Sequence, residues 1–318
     1  MQHQHHRDVS DLYYVEGNLS LKILVCGPDD HHTFSYIYRS FKEMGHETRI
    51  LDSRYDYLTL FNEVKSFSPD FLLIPRQGHL YETVKKVQEE TGIKTYLWNT
   101  DCRGSLQGYE TEFGKNLVEL FRIVDCVYTV AIGEVEMFET EGIKSKWLVQ
   151  GIWPEVDNKL GERYEHTISF LGSIDGIHEH NGGRTTLLRE LYSAGYALNL
   201  EPCYGTNASR CYYESRINLG HAHSPRLGEN SVRDFKIMGS GGFLLTQWYQ
   251  GIDDLMNVGA EMDCYNSIEE CLEKVKYYLE HTEEREKIAQ AGYEACHDKH
   301  KYSDRLQTII EDYKNGLD

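Results

Sequence analysis

Short apolar runs alternate with longer stretches of helical period along most of the chain. Residues 21–26 are apolar and stop at Gly27-Pro28, the pattern of a buried strand entering a turn. Apolar side chains then recur at Phe34, Ile37, Tyr38, Phe41 and Met44, on one face of a helix that Gly45 closes. The unit repeats. Strands are predicted at 47–51, 70–74, 94–98, 126–130 and 146–149, with helices at 58–67, 80–90, 115–123 and 134–141 between them. Alternation at this spacing implies right-handed crossovers and a parallel sheet.

Gly151-Ile152-Trp153-Pro154-Glu155 breaks the rhythm, and a second series follows. A strand at 167–171 ends in Gly172-Ser173, and a helix at 185–193 is closed by Gly195. Strands at 197–200 and 216–219, a short helix at 231–238 and a strand at 243–246 come next. Beyond 262–265 lie three helical segments, around 268–281, 283–297 and 302–313. The expected fold is α/β: two Rossmann-like parallel-sheet domains facing a cleft, over 21–150 and 151–300. Residues 1–20 form an arm, and a final helix over 301–318 packs back toward the first domain.

Charge narrows the function. With 33 Lys and Arg against 51 Asp and Glu, the net charge is −18, which lacks the cationic footprint of a general nucleic-acid binder. A local basic pocket for one phosphorylated ligand stays compatible with it. Apolar runs are only a handful of residues long, so no membrane span is expected. Residues 1–10 are polar and His-rich, unlike a secretory leader. The eight cysteines form no C-x-x-C pair, which reads as free thiols and a cytoplasmic location.

In parallel sheets ligands bind beyond the carboxyl ends of the strands. In the first domain those loops read Gly27-Pro28-Asp29-Asp30-His31-His32, Pro75-Arg76-Gln77-Gly78-His79 and Asn99-Thr100-Asp101-Cys102-Arg103. Asp101 and His79 are the candidate general bases, with Asp29, His31, Arg76 and Asn99 beside the substrate. The same residue types also cap helices, so the cluster says more than any member. In the second domain Gly172 and Ser173 end a strand, and Gly182-Gly183-Arg184 opens a helix, a combination suited to an anion. No G-x-G-x-x-G or P-loop motif occurs, which disfavours a dinucleotide-dependent dehydrogenase. The pairs His178/His180 and His221/His223 lack a third ligand at a recognisable spacing, so no metal is expected; the first pair could instead contact phosphate.

The most informative segment runs from Glu229 to Thr246. It joins an Asn230-Ser231 helix start, Arg233 and Lys236 three apart, the turn Gly241-Gly242 and an apolar strand. Two cations in the first turns of a helix oppose its dipole, a cost that an anionic ligand would offset. Arg233-Asp234-Phe235-Lys236, Gly241-Gly242-Phe243-Leu244-Leu245-Thr246, Gly251-Ile252-Asp253-Asp254 and Glu283-Glu284-Arg285 resemble the second half of group 1 glycosyltransferases, in the branch of the spore maturation protein CgeB. The likeness covers roughly 167–306, and Trp98-Asn99-Thr100-Asp101 resembles that branch's first-domain loop more loosely.

The resemblance implies a GT-B fold and sugar transfer from a nucleotide-diphosphate sugar, most simply a UDP-sugar, to an unidentified acceptor. It implies neither a cofactor nor a metal. Donor contacts would fall to Gly172, Ser173, Arg184, Asn230, Ser231, Arg233, Lys236, Gly241, Gly242 and Thr246, and acceptor contacts to the first domain. One departure stands out: Lys236 replaces the family's ribose-binding Glu, and Gly228 holds the place of the first Glu of its E-x7-E pattern, with Glu229 one position off. The alternative is a non-catalytic GT-B-like binding or coat-associated protein with an altered donor site.

Overall fold

The computed structural model describes residues 20–27, 33–52, 54–101, 112–174, 182–222 and 224–316. Its first half alternates strand and helix in the order β1 (Lys22–Cys26), α1 (Thr33–Glu43), β2 (Glu47–Leu51), α2 (Tyr57–Phe67), β3 (Phe71–Pro75), α3 (Tyr81–Thr91), β4 (Lys94–Asn99), α4 (Glu112–Ile123), β5 (Cys126–Thr129), α5 (Ile132–Thr140) and β6 (Ser145–Trp147). The six strands form one parallel sheet, ordered β2-β1-β3-β4-β5-β6. β3 is buried along its whole length, as a central parallel strand covered on both faces must be.

The second half runs β7 (His166–Ser169), α6 (Gly182–Ser193), β8 (Leu198–Asn199), α7 (Gly205–Glu214), β9 (Ser215–Gly220), α8 (Val232–Gly239), β10 (Leu244–Gln247), α9 (Ile252–Leu255) and β11 (Asp263–Tyr265). These five strands also pair in parallel, ordered β8-β7-β9-β10-β11. Three helices close the chain: α10 (Ile268–Glu280), α11 (Thr282–Lys299) and α12 (Tyr302–Asn315). The architecture is the expected pair of parallel-sheet α/β domains. Two elements differ. Helix α7 lies where the sequence offers only Ala208, Cys211 and Tyr212 as a buried apolar stripe, too thin to stand out as a helix. Helix α9 is a single turn between two strands.

Helix α12 leaves the second domain and packs on the first sheet. Its Tyr302, Leu306, Ile309 and Ile310 share a core with Phe34, Ile37 and Phe41 of α1 and with the inner side chains of β1, β3, β4 and β5. Polar contacts fix it there: Tyr128 donates to Asp312 Oδ2 at 2.8 Å, and the Lys146 ammonium meets Asp312 Oδ1 at 2.5 Å. The other face of that sheet is covered by α2, α3 and α4 through Leu60, Val84, Val87, Leu117 and Phe121.

The two passages between domains touch. Ile152 N–H donates to His300 O at 2.8 Å, and Tyr302 N–H donates to Ile152 O at 3.0 Å. A side chain at Gly151 would come within 2.8 Å of the His300 carbonyl, so only glycine lets the strands approach this closely. Among the described residues no helix is long and apolar enough to cross a membrane.

Candidate functional site

In the second sheet, β8 lies on one side of β7 and β9 on the other, so the chain reverses direction between β7 and β9. That switch point opens a crevice at the carboxyl ends of the strands. Arg184, two residues into α6, fills it. Its Nε and Nη2 donate to His221 O, after β9, at 3.3 and 2.9 Å, and its Nη1 donates to Ser173 O, after β7, at 3.3 Å. Arg233, in the first turn of α8, donates from Nε to Leu171 O at 2.5 Å. The side chain of Ser231 caps the same helix by accepting from Arg233 N–H.

Both guanidiniums therefore hang on backbone carbonyls of strand-end loops. Among the described residues neither makes an ion pair with a carboxylate, and Arg233 Nη1 is buried without a hydrogen-bond partner. Asn230 is buried too: its Nδ2 donates to the Tyr249 hydroxyl at 2.7 Å, while its Oδ1 has no partner. Buried polar atoms left without a partner in this way can be satisfied by a water, an ion or a ligand group.

A cavity of about 280 Å³ lies above these residues, and both domains line it. Arg184, Glu229, Asn230, Ser231, Val232 and Arg233 form one wall. Thr33, Thr100, Asp101 and Gln150 form the other. The walls meet directly where Asn230 N–H donates to Val130 O at 3.2 Å and Glu229 bridges Ala131. Gln150 Nε2 donates to Thr33 Oγ1 at 2.9 Å, which orients the first-domain side.

The electrostatics of this wall are unusual. Burial, and then the neighbouring Arg233, pull the Arg184 guanidinium down to about 10. Beneath the cavity Asp234 is fully enclosed, and burial pushes its carboxyl up to about 7 against the opposing pull of Arg233, the Thr246 and Tyr249 hydroxyls and Arg184. Two crowded guanidiniums thus stand over a carboxyl whose ionisation burial disfavours. Such a pair suits an anion with several oxygens, since each guanidinium can present paired donors.

Of the residues singled out from the sequence, Asp101, Arg184, Asn230, Ser231 and Arg233 come together at this cavity. Gly172 adjoins it: a Cβ built there would sit 2.5 Å from Arg233 Nη2, so glycine keeps that guanidinium in place. Ser173 contributes its carbonyl to Arg184. Glu229, Thr33 and Gln150 are additions. Gln150 stands just past β6 in a position that resembles a linker, and Thr33 opens α1 like any helix start.

The remaining candidates are placed elsewhere. Gly241 N–H donates to Met238 O at 2.8 Å and Gly242 N–H to Ile237 O at 2.9 Å, so both amides close α8 and neither is open to phosphate. Thr246 is buried beside Asp234 and Gly220, below the cavity. Asn99 donates from Nδ2 to the buried Glu134 at 2.9 Å and ties β4 to α5. His79 sits exposed in a short turn of helix over Gly78–Leu80, and Arg76 lies just past β3; neither lines the cavity. Lys236 does not share Arg233's surroundings. Three residues on a helix differ by about 60° in direction, and this angle sends the two side chains apart. Arg233 reaches the Phe170 ring at 5.0 Å, whereas Lys236 crosses to the Tyr36 ring of α1 at 5.4 Å and acts on the buried Asp157. Asp29, His31, His178, His180 and His223 lie outside the described residues.

Comparison with known proteins finds a likeness in the second half. Residues 165–311 match the family described as "Glycosyl transferase-like". No curated protein matches the chain. Among solved structures, sucrose-phosphate synthase from Thermosynechococcus elongatus superposes with a TM-score of 0.68 at 7% identity, covering 93% of this chain and 99% of the other. HepE of Anabaena, solved in complex with UDP-glucose, gives 0.66 at 10% identity, covering 93% and 100%. A glycosyltransferase from Rickettsia africae gives 0.64 at 12% identity, covering 94% and 99%. At such identities the likeness is one of fold, and that fold is GT-B.

Proposed function

We propose that this protein transfers a sugar from a nucleoside-diphosphate sugar, with UDP as the nucleotide, to a hydroxyl-bearing acceptor. The observation that carries this reading is the pair of guanidiniums, Arg184 and Arg233, held on carbonyls at the sheet's switch point without a carboxylate partner. A diphosphate supplies the missing negative charge. The family match over residues 165–311 and the UDP-glucose bound by HepE support the choice of donor.

In this reading the acceptor oxygen attacks the anomeric carbon while the bond from that carbon to the β-phosphate oxygen breaks. The electron pair leaves with the nucleoside diphosphate. Arg184 and Arg233 stabilise the charge that develops there, where fixed charges act without reorganising. Asp101, on the opposite wall, accepts the acceptor's proton. Glu229 offers a carboxylate to sugar hydroxyls, in place of the family's Glu at the position of Lys236.

The direct test is thermal denaturation and calorimetry with UDP, GDP and ADP and their sugars, followed by assay of UDP release. UDP-sugar should raise the melting temperature and be consumed slowly even without acceptor. If no nucleoside diphosphate at millimolar concentration binds, the reading fails.

Lys236 favours a second reading, a donor-binding protein without turnover, because this cation occupies the family's carboxylate position and faces away from the cavity. Binding of UDP-sugar with neither transfer nor hydrolysis, while Lys236→Glu restores neither, would select it.

A further inference from the structure

At the end of the second sheet remote from the cleft, three side chains outside the site converge. His166 opens β7, Glu165 precedes it, and Glu214 ends α7 immediately before Ser215, the β9 residue that pairs with His166. A nitrogen of His166 and one oxygen from each carboxylate all lie within 4.8 Å of one another.

Glu214 makes the cluster more than a surface coincidence. It is only 8% exposed, and among the described residues no hydrogen bond or ion pair engages its carboxylate. It stands at the C-terminal end of α7, where the helix dipole disfavours negative charge, and a second carboxylate lies beside it. Arg210, one turn earlier on the same helix, borders the same hollow yet forms no ion pair with it among the described residues. Gly161, at φ +89°, leaves the room that Glu214 Oε1 occupies; a Cβ there would collide with it. A buried carboxylate is ordinarily paired or bound to a metal.

We propose that Glu165, His166 and Glu214 form a zinc-binding site. Three atoms no more than 4.8 Å apart surround a point at most about 2.8 Å from each, so a shift of well under about 1 Å per side chain reaches bonds of about 2.0–2.2 Å. Imidazole with two carboxylates favours Zn²⁺ over Mg²⁺ or Ca²⁺, which prefer oxygen alone. A hollow of about 440 Å³, bordered by His166 and Glu214, gives the ion a way in and a water its fourth position. The bound ion would clamp the start of β7 to the junction of α7 and β9. The set is distinct from the H-x-H pairs and independent of donor binding.

The test uses the full chain freed of metal with chelator. So that zinc held by His3, His5 and His6 cannot be counted as this site, all three are first replaced by Ala. Titration with ZnCl₂ against a chromophoric chelator should show one tight site and a raised melting temperature. His166→Ala and Glu214→Gln should each weaken that site by about tenfold or more. Glu165→Gln, a change at an exposed side chain, should weaken it likewise and serves if the others fold poorly. Absence of a zinc site in this background, or equal affinity in parent and variants, overturns the proposal.

Discussion

Arg184 and Arg233 flank one aromatic ring: their guanidinium carbons lie 5.7 and 5.0 Å from the centroid of Phe170. The ring's negative face attracts both cations while their charges repel each other. Phe170 itself is buried just past β7, so the platform is fixed by the sheet. In the proposed function this arrangement receives the donor's diphosphate.

Replacing either arginine by Ala should therefore weaken UDP binding by about 1–3 kcal/mol, the range for charged hydrogen bonds. Uridine binding should change little. Arg184→Lys should not restore affinity, because one ammonium cannot bridge the Ser173 and His221 carbonyls as a planar fork does. Calorimetry with UDP and uridine checks both statements; equal losses for the two ligands would place the arginines outside the phosphate site.

Gly172→Ala tests the same geometry without removing charge. The new methyl would press on Arg233 Nη2 and swing the guanidinium off the Leu171 carbonyl. UDP affinity should fall by about 1 kcal/mol or more, with the melting temperature nearly unchanged. Tight binding in this variant would show that Arg233 does not hold the diphosphate.

Asp234 should make binding depend on pH. Its folded value of about 7 lies above the ordinary 3.8, so the folded protein holds this proton more firmly than the unfolded chain. That contribution to stability is fully present below the ordinary value and is lost as pH rises through about 7. Ionisation also places a negative charge beneath the two arginines. A UDP-sugar carries no group that titrates between about pH 5 and 8, so its affinity should decline across that window. Asp234→Asn should flatten the decline; a parent profile that is already flat would remove Asp234 from the account.

Lys236→Glu should act on the domain interface. The residue faces Tyr36 and buried Asp157, whose carboxyl burial raises and Lys236 holds down. A carboxylate there would repel Asp157 and cost about 1–3 kcal/mol of stability, seen as a lower melting temperature. UDP affinity should stay within about twofold. A large loss of affinity at unchanged stability would return Lys236 to the donor site.

Asp101→Asn separates binding from chemistry. If Asp101 takes the acceptor's proton, transfer should fall by about 10²–10⁴ while UDP-sugar binds as before. Transfer at the parental rate would assign the base elsewhere.

The sheets are readable because buried parallel strands are continuous apolar runs, as in Phe71–Pro75. Arg184 and Arg233 were readable because each follows a small-residue turn or a helix cap. Gly241 and Gly242 have the same appearance, yet their amides are spent in closing α8. Composition cannot distinguish an amide left open from one already bonded. Arg233 and Lys236 diverge because spacing along a helix fixes a direction and not a neighbour. Thr33 and Gln150 gave no signal, since their importance comes from the other domain standing opposite them.

Helix α12 gives this protein a particular order of assembly. The Tyr128–Asp312 hydrogen bond joins residues 184 apart, and the whole second domain is synthesised between them. Until residues 302–315 emerge, the first sheet carries Phe71, Tyr96 and Tyr128 on a face that only α12 completes. During synthesis the first half therefore exists as a partly covered sheet, open to association until the chain is complete. Its closure is a late, long-range step of the kind that slows folding. Trimming the chain before Tyr302 would accordingly do its damage in the half of the protein that is made first.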